Sequence, residues 1–193
     1  MRFPRATHLV LVFSKEEDAR RVLAMLPERF GAYGLTLHPE KTRLVEFRRP
    51  DRRRSPKGGD IASRPGTFDL LGFTHYWGVS RNGTWVVKRK TAKDRFARGL
   101  QRLAAWCRHY RHKPLLEQWK ALQRKVLGHF GYFGITGNFE AIRRFRDEAA
   151  RRWSVWLNRR SQKARMPWDR MHKLVERYPL PPARITRPYS ASA

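Results

Sequence analysis

The stretch LLEQWKALQRKVLGHFGYFGITGNFEAIRRFRDEAARRWSVW, residues 115–156, decides the fold class. Leu115, Trp119, Leu122, Val126 and Phe130 recur every three or four residues, which puts them on one face of an α-helix. Pro114 opens that helix, because its fixed φ suits a first turn. Ile142, Phe145, Ala149, Trp153 and Trp156 repeat the pattern after Asn138, a residue of N-cap type. Upstream, from Thr91 onward, Phe96, Leu100, Leu103, Cys107 and Tyr110 carry the same spacing. Apolar stripes of this kind must be buried, and three of them facing one another predict a small bundle. Trp168, Met171, Val175 and Tyr178 predict a short fourth helix, which Pro179, Pro181 and Pro182 stop.

Within the quoted stretch, residues 128–138 (GHFGYFGITGN) carry glycine at every third position, Gly128, Gly131, Gly134 and Gly137, with aromatics between. A helical glycine costs about 1 kcal/mol relative to alanine. Four of them point to close approach of something bulky, either a neighbouring helix or a nucleic-acid backbone.

The first half reads as mixed α/β. The apolar run Leu9-Val10-Leu11-Val12-Phe13 predicts a buried strand. Ser14 and Glu17 form a capping-box pattern ahead of Ala19, Val22, Leu23, Leu26 and Phe30 at helical spacing, and Gly34 ends that helix. Extended pieces follow near Leu35–Leu37 and Thr42–Phe47, and 48–66 is a solvated loop rich in Arg, Pro and Gly. From Thr74 to Lys90 the pattern is a hairpin, with Asn82-Gly83 supplying a type I′ turn. Its aromatics, Tyr76, Trp77 and Trp85, read as core packing rather than base stacking. The fold class is therefore α+β: a short sheet with one or two helices, then a three- to four-helix bundle.

Charge sets the partner. The 193 residues hold 43 Lys and Arg against 16 Asp and Glu, a formal net charge of +27. A surplus this large repels itself unless a polyanion neutralises it, so nucleic acid is the expected partner, and a membrane surface is not. Residues 1–84 carry a net +7 and residues 85–193 a net +20, which assigns the polyanion to the second half. On the third helix, Arg144, Arg151 and Arg152 each follow an acidic residue by four positions, while Arg143, Arg146, Arg159 and Arg160 do not. These last four, with Lys88, Arg89, Lys90 and Lys93 at the strand-to-helix corner, are the expected phosphate contacts, arginine being shaped for bidentate phosphate binding.

Phosphate-loop, nucleophile-elbow and zinc-helix motifs are absent from the sequence. The single cysteine, Cys107, excludes an internal disulfide framework and multi-cysteine zinc sites. Cys107 lies in the apolar stripe, and His109 about 160° from it around the helix, so with His112 they do not form a metal site. Glu16, Glu17 and Asp18 sit in a first helical turn, where acids favour the helix dipole. No catalytic residue, metal or cofactor is expected. No apolar run approaches a membrane span, and a cytoplasmic location is expected.

Several ordered motifs resemble the C-terminal part of a bacterial group II intron-encoded reverse transcriptase/maturase. The segment Gly128–Asn138 is similar to the maturase-specific region, called domain X or thumb. Trp153, Trp156 and Leu157 with Arg159-Arg160-Ser161, then Trp168 and Pro179–Ile185, resemble the same region. Upstream, Gly34–Thr42 resembles a late palm block, and Leu70-Leu71-Gly72-Phe73 the following primer-grip block. The resemblance implies a partial palm over 1–90, a thumb/domain X bundle over 91–178 and a Pro-rich tail over 179–193. It implies RNA binding and assistance to splicing.

The resemblance also carries a departure. The family precedes the strand matching Leu9–Phe13 with Tyr-x-Asp-Asp, whose aspartates hold catalytic magnesium, whereas this chain has Arg5-Ala6-Thr7-His8. The chain so read is an N-terminally truncated member, not expected to polymerise alone. Two alternatives stay open: the C-terminal half of a split reverse transcriptase completed by a separate N-terminal half, and a degenerate intron relic.

Overall fold

The structure is a computed structural model that describes residues 9–50, 66–160 and 167–188; Arg5–His8, Ser161, most of the 48–66 loop and the side chain of Trp168 lie outside the described residues. It is α+β. The described elements run α1 (Glu16–Gly31), β1 (Phe68–Leu70), β2 (Phe73–Val79), β3 (Trp85–Thr91), α2 (Lys93–His109), α3 (Leu115–Phe133), α4 (Phe139–Asn158) and α5 (Trp168–Arg177). The strands form one sheet in the order β1-β2-β3. Tight turns join them, so each neighbouring pair is antiparallel.

The chain divides into two compact units, and the division passes through the hairpin. The first comprises residues up to Leu70 with Tyr76–Val86, and the second Leu71–His75 with Val87 onward.

In the first unit, α1 starts at Glu16, after Lys15, and no side-chain cap is made, so Ser14 is not the N-cap the capping-box spacing predicts. The helix does end as expected. Gly34 adopts φ +66°, its N–H bonds the Gly31 carbonyl, and Leu35 N–H reaches back to the Phe30 carbonyl. That pair of bonds is a Schellman motif with glycine at its left-handed position. The predicted strand at Leu9–Phe13 is not formed: the run is irregular and exposed, Val12 to 90%. A strand needs a partner for its N–H and C=O groups, and among the described residues none pairs with it. Leu35–Leu37 and Thr42–Phe47 are likewise outside any strand. Phe47 nevertheless packs, 4.9 Å edge-on to Phe68 and 5.4 Å stacked on Trp77, whose Nε1 donates to the Phe47 carbonyl.

The hairpin tip corrects a second expectation. Gly83 has φ +75° but Asn82 does not enter positive φ, so the Asn82-Gly83 turn is not type I′. Gly83 N–H bonds the Ser80 carbonyl and Ser80 N–H bonds the Thr84 carbonyl, the pattern of a three-residue loop whose last residue is left-handed. The type I′ geometry occurs instead between β1 and β2, where Leu71 (φ 49°) and Gly72 (φ 81°) form a two-residue turn. Leucine strongly disfavours that region, which hides the turn from composition.

The second unit supplies the reason that Leu71 is held there. The Tyr132 hydroxyl donates to the Leu71 carbonyl at 2.7 Å, and the Tyr132 ring lies parallel to Phe73, itself buried, at 5.8 Å. The Gly72 carbonyl accepts from Ala92 N–H, and a β-carbon on Gly72 would sit 3.6 Å from the Phe133 ring.

The helical core follows the stripes. Leu100, Leu103 and Cys107 from α2, Leu122, Val126 and Phe130 from α3, and Ile142, Phe145, Ala149, Trp153 and Leu157 from α4 are buried together with Met171 and Leu180. Burial pushes the Cys107 thiol up to about 12, so it is an inert core side chain. Two stripe positions differ from expectation. Tyr110 falls beyond the end of α2 and is exposed, and Trp156 is only half-buried because Leu157 takes the core position at that turn. Pro114 is the residue before α3 rather than within it.

Asn138 immediately precedes α4 yet makes no cap bond. It is 1% exposed and ties the α3–α4 turn to the end of β3: Oδ1 accepts from Thr91 N–H at 3.0 Å, and Nδ2 donates to Thr91 Oγ1 and the Phe133 carbonyl, both at 2.8 Å. Asn138→Ala leaves these groups unpaired in the interior. We expect a loss of about 2–4 kcal/mol, read as a lower denaturant midpoint with unchanged slope.

The glycine run resolves into separate roles. Gly134 is crowded by its own chain: a β-carbon there would lie 2.4 Å from the Phe130 carbonyl oxygen and 2.7 Å from Thr186 Oγ1. Thr186 and Arg187 N–H both donate to the Gly134 carbonyl, and Ile135 forms a parallel bridge with Arg187. The Pro-rich segment is thus strapped to the bundle, with the Pro179 carbonyl accepting from Trp119 Nε1 and the Pro181 carbonyl from Arg146 Nε. Gly137 takes φ +86° in the turn, while Gly128 and Gly131 have nothing near a would-be β-carbon. Only Gly134 therefore shows the predicted close approach, and a chain strap causes it rather than a helix.

His129 stacks on Phe145 with ring centroids 3.5 Å apart, and burial pushes its imidazole down to about 4. The unfolded chain takes up that proton near pH 6.5, so stability is full above this value and is lost as the pH falls towards 4. A shift of this size corresponds to about 3 kcal/mol. Denaturant midpoints across this range should show the decline, and His129→Phe should flatten it.

Candidate nucleic-acid interface

The eight expected phosphate contacts do not form one surface. Lys88, Arg89 and Lys90 end β3 and Lys93 opens α2. Strand alternation sends Lys88 and Lys90 to one side of the sheet and Arg89 to the other. This group flanks Thr91, which is bound to Asn138 at the start of α4. Arg159 and Arg160 lie at the opposite end of that 20-residue helix, about 30 Å away.

Arg143 and Arg146 fall between, and neither is unpaired as its spacing implies. Arg143 Nη2 meets Glu140 Oε2 at 2.7 Å, and that carboxylate raises the guanidinium's pKa. Arg146 meets Asp147 at 3.0 Å and also donates to the Pro181 and Leu180 carbonyls. Glu148 serves Arg151 and Arg152 together. Arg144, expected to pair with Glu140, has its guanidinium 5.4 Å over the Phe96 ring instead. Carboxylates three or four residues away compete for the same arginines, and side-chain direction decides the winner.

The far end of the bundle is different. Arg159 and Arg108 place their guanidinium carbons 5.1 Å and 5.9 Å from the Trp156 ring centroid, within cation–π range. Arg160 Nη2 donates to the Lys113 carbonyl, drawing the end of α4 to the α2–α3 loop. Arg108, His109, Arg111 and His112, with Ala105, line an open recess of about 430 Å³. Arg111 donates to the Arg108 carbonyl at 3.1 Å. Among the described residues, none of Arg108, Arg111, Lys113, Arg159 and Arg160 meets a carboxylate, in contrast to Arg20, Arg98, Arg143, Arg146, Arg151 and Arg152.

Gln118 holds this corner in shape. It is 2% exposed; its Nε2 donates to the carbonyls of Arg111 (3.1 Å) and Lys113 (2.7 Å), and its Oε1 accepts from Trp153 Nε1 at 3.1 Å. A core tryptophan on α4 is thus bonded through one amide to the loop that carries the cations.

Arg159 and Arg160 stand out in the sequence, whereas Arg108, Arg111 and Lys113 do not. A signal for them is nevertheless present: no Asp or Glu occurs between Asp94 and Glu117, nor between Glu148 and Asp169. Two acid-free segments meeting at one end of a bundle must make a patch of one sign, but their meeting is a tertiary fact.

Tyr132 and Asn138 are engaged in packing and internal hydrogen bonds. Cys107 is in the core while His109 and His112 are exposed, and among the described residues no group of three His, Cys, Asp or Glu could hold a metal ion. No described helix is long and apolar enough to cross a membrane. Comparison with known proteins adds no identification: no family model, curated protein or solved structure matches the chain.

Proposed function

We propose that this protein is an RNA-binding module of maturase type, which grips structured group II intron RNA through backbone phosphates and assists splicing without a polymerase centre of its own. The observation that carries the binding is the acid-free group at this end of the bundle, with Arg108 and Arg159 over Trp156, Arg111 bonded to the Arg108 carbonyl and Arg160 to the Lys113 carbonyl, in a chain with a net surplus of positive charge. Such a cluster suits phosphate positioning rather than base reading, so discrimination comes from RNA shape. The intron as target rests on the resemblance of Gly128–Asn138 and its flanking segments to domain X.

The test compares a structured group II intron RNA with an unrelated RNA of equal length across a salt series. A preference of roughly tenfold that survives at about 0.15 M salt is the expected result. Equal affinities that vanish together with salt would overturn the intron reading and leave the relic reading in its place.

The second reading, the C-terminal half of a split reverse transcriptase, is favoured by the exposed apolar run Leu9–Phe13. Co-expression with a separate fingers/palm chain should then yield primer extension that neither chain gives alone.

A further inference from the structure

Trp156 carries two charges of the same sign over one ring. The guanidinium carbon of Arg159, at the end of α4, lies 5.1 Å from the ring centroid, and that of Arg108, in the last turn of α2, lies 5.9 Å from it. Both arginines are exposed, and neither meets a carboxylate among the described residues. Two exposed guanidiniums on long stems spread apart in solvent, because like charges repel and each stem has much rotamer freedom to lose. What gathers them here is the negative face of one indole, with the carbonyl ends of two helices beside it.

The ring is fixed from below. Trp156 packs against the helical core, and the α4 residues on either side of it in the stripe, Trp153 and Leu157, are 1% and 4% exposed. Trp153 is tied to Gln118, and Arg160 ties the end of α4 to the Lys113 carbonyl. Spacing alone places Trp156 in the core. Leu157 takes that position instead, which leaves the indole half-buried, with its edge in the core and cations from two helices over its ring.

We propose that Trp156 is the positioning residue of the phosphate-binding surface: its ring holds Arg108 and Arg159 together in the free protein, so that RNA backbone meets two guanidiniums already in place. Ordering long side chains at the moment of binding opposes association, and the ring removes that cost beforehand. In this role the ring acts through the arginines, touches no base and reads no sequence. The inference rests on the proposed binding of RNA at this end of the bundle, and not on the intron as its target.

A double-mutant cycle in the full chain tests it, with a structured RNA unrelated to group II introns as the probe, at fixed low salt. Trp156→Leu is expected to weaken binding roughly tenfold, about 1.4 kcal/mol. With Arg108→Gln and Arg159→Gln already present, the same change should weaken it less than about twofold, because the groups through which the ring acts are gone. Trp156→Phe keeps an aromatic face and should retain most of the affinity. Equal losses in the two backgrounds overturn the proposal, since a ring that only packs, or one that stacks on a base, gives that result.

A second measurement needs neither a variant nor RNA. A guanidinium arm over an indole is shielded by the ring current. In the spectrum of the unaltered chain the δ-methylene and Nε–H protons of Arg108 and Arg159 should therefore lie upfield of those of Arg98 and Arg143, which face carboxylates. Unshifted signals overturn the proposal. Failure of the intron reading shows as equal affinity for intron and unrelated RNA and leaves the coupling in place. Failure of this proposal shows as absent coupling in a chain that still binds RNA.

Discussion

Replacing Arg108, Arg111, Arg159 and Arg160 together by glutamine is expected to weaken RNA binding roughly a thousandfold at low salt, at about 1 kcal/mol for each arginine–phosphate bond removed. The salt dependence should change as well. Each neutralised phosphate releases counterions, so the slope of log affinity against log salt should flatten by about three to four units. These four guanidiniums meet no carboxylate among the described residues, and so are free to exchange water and counterions for phosphate. Arg98→Gln and Arg143→Gln are the matched comparison. Those arginines already face Asp94 and Glu140, and their removal should cost far less. Filter binding or fluorescence anisotropy over a salt series reads both quantities. Equal losses from the two sets would show that only total charge matters and that the cluster is not the binding surface.

Trp153→Ala is the change expected to damage the fold most. Trp153 is 1% exposed in the middle of the helical core and gives its indole N–H to Gln118. Truncation of a buried tryptophan costs about 3–5 kcal/mol. Here it also removes the donor to Gln118 Oε1 and leaves that acceptor buried. Thermal or urea unfolding of the isolated chain reads the loss. Trp153→Phe keeps most of the volume but not the N–H, so its smaller loss isolates the hydrogen bond. Because Gln118 in turn holds the carbonyls of Arg111 and Lys113, Trp153→Phe should loosen the α2–α3 loop and reduce RNA affinity more than its stability loss alone implies. An unchanged affinity would mean that the loop is held without this chain of bonds.

Helices are legible in the sequence because their evidence is local. Leu100, Leu103 and Cys107, or Ile142, Phe145, Ala149 and Trp153, announce a buried face within a few turns of one segment, and the structure buries all of them. Gly34 is legible for the same reason, since a left-handed residue after a helical run is a one-residue signal. Strands are less so. Leu9–Phe13 has the composition of a strand, but a strand exists only with a partner, and composition does not say whether a partner is near. Asparagine's tolerance of positive φ predicts the type I′ turn at Asn82-Gly83; the chain makes it at Leu71-Gly72, where Tyr132 and Phe73 hold the backbone.

At the candidate interface the division is sharper. Net charge, its bias to the second half and the presence of α2, α3 and α4 are properties of composition and short-range spacing, and they need only the order of residues. Which arginines remain unneutralised is not such a property. Glu140 takes Arg143 rather than Arg144, and Arg160 reaches Lys113, 47 residues distant in sequence. The Trp153–Gln118 bond spans 35 residues and the Asn138–Thr91 bonds span 47. Periodicity reports which face of a segment is apolar. It carries no information about which distant side chain will satisfy a buried amide or compete for a carboxylate, because those contests are settled by packing once the helices have docked.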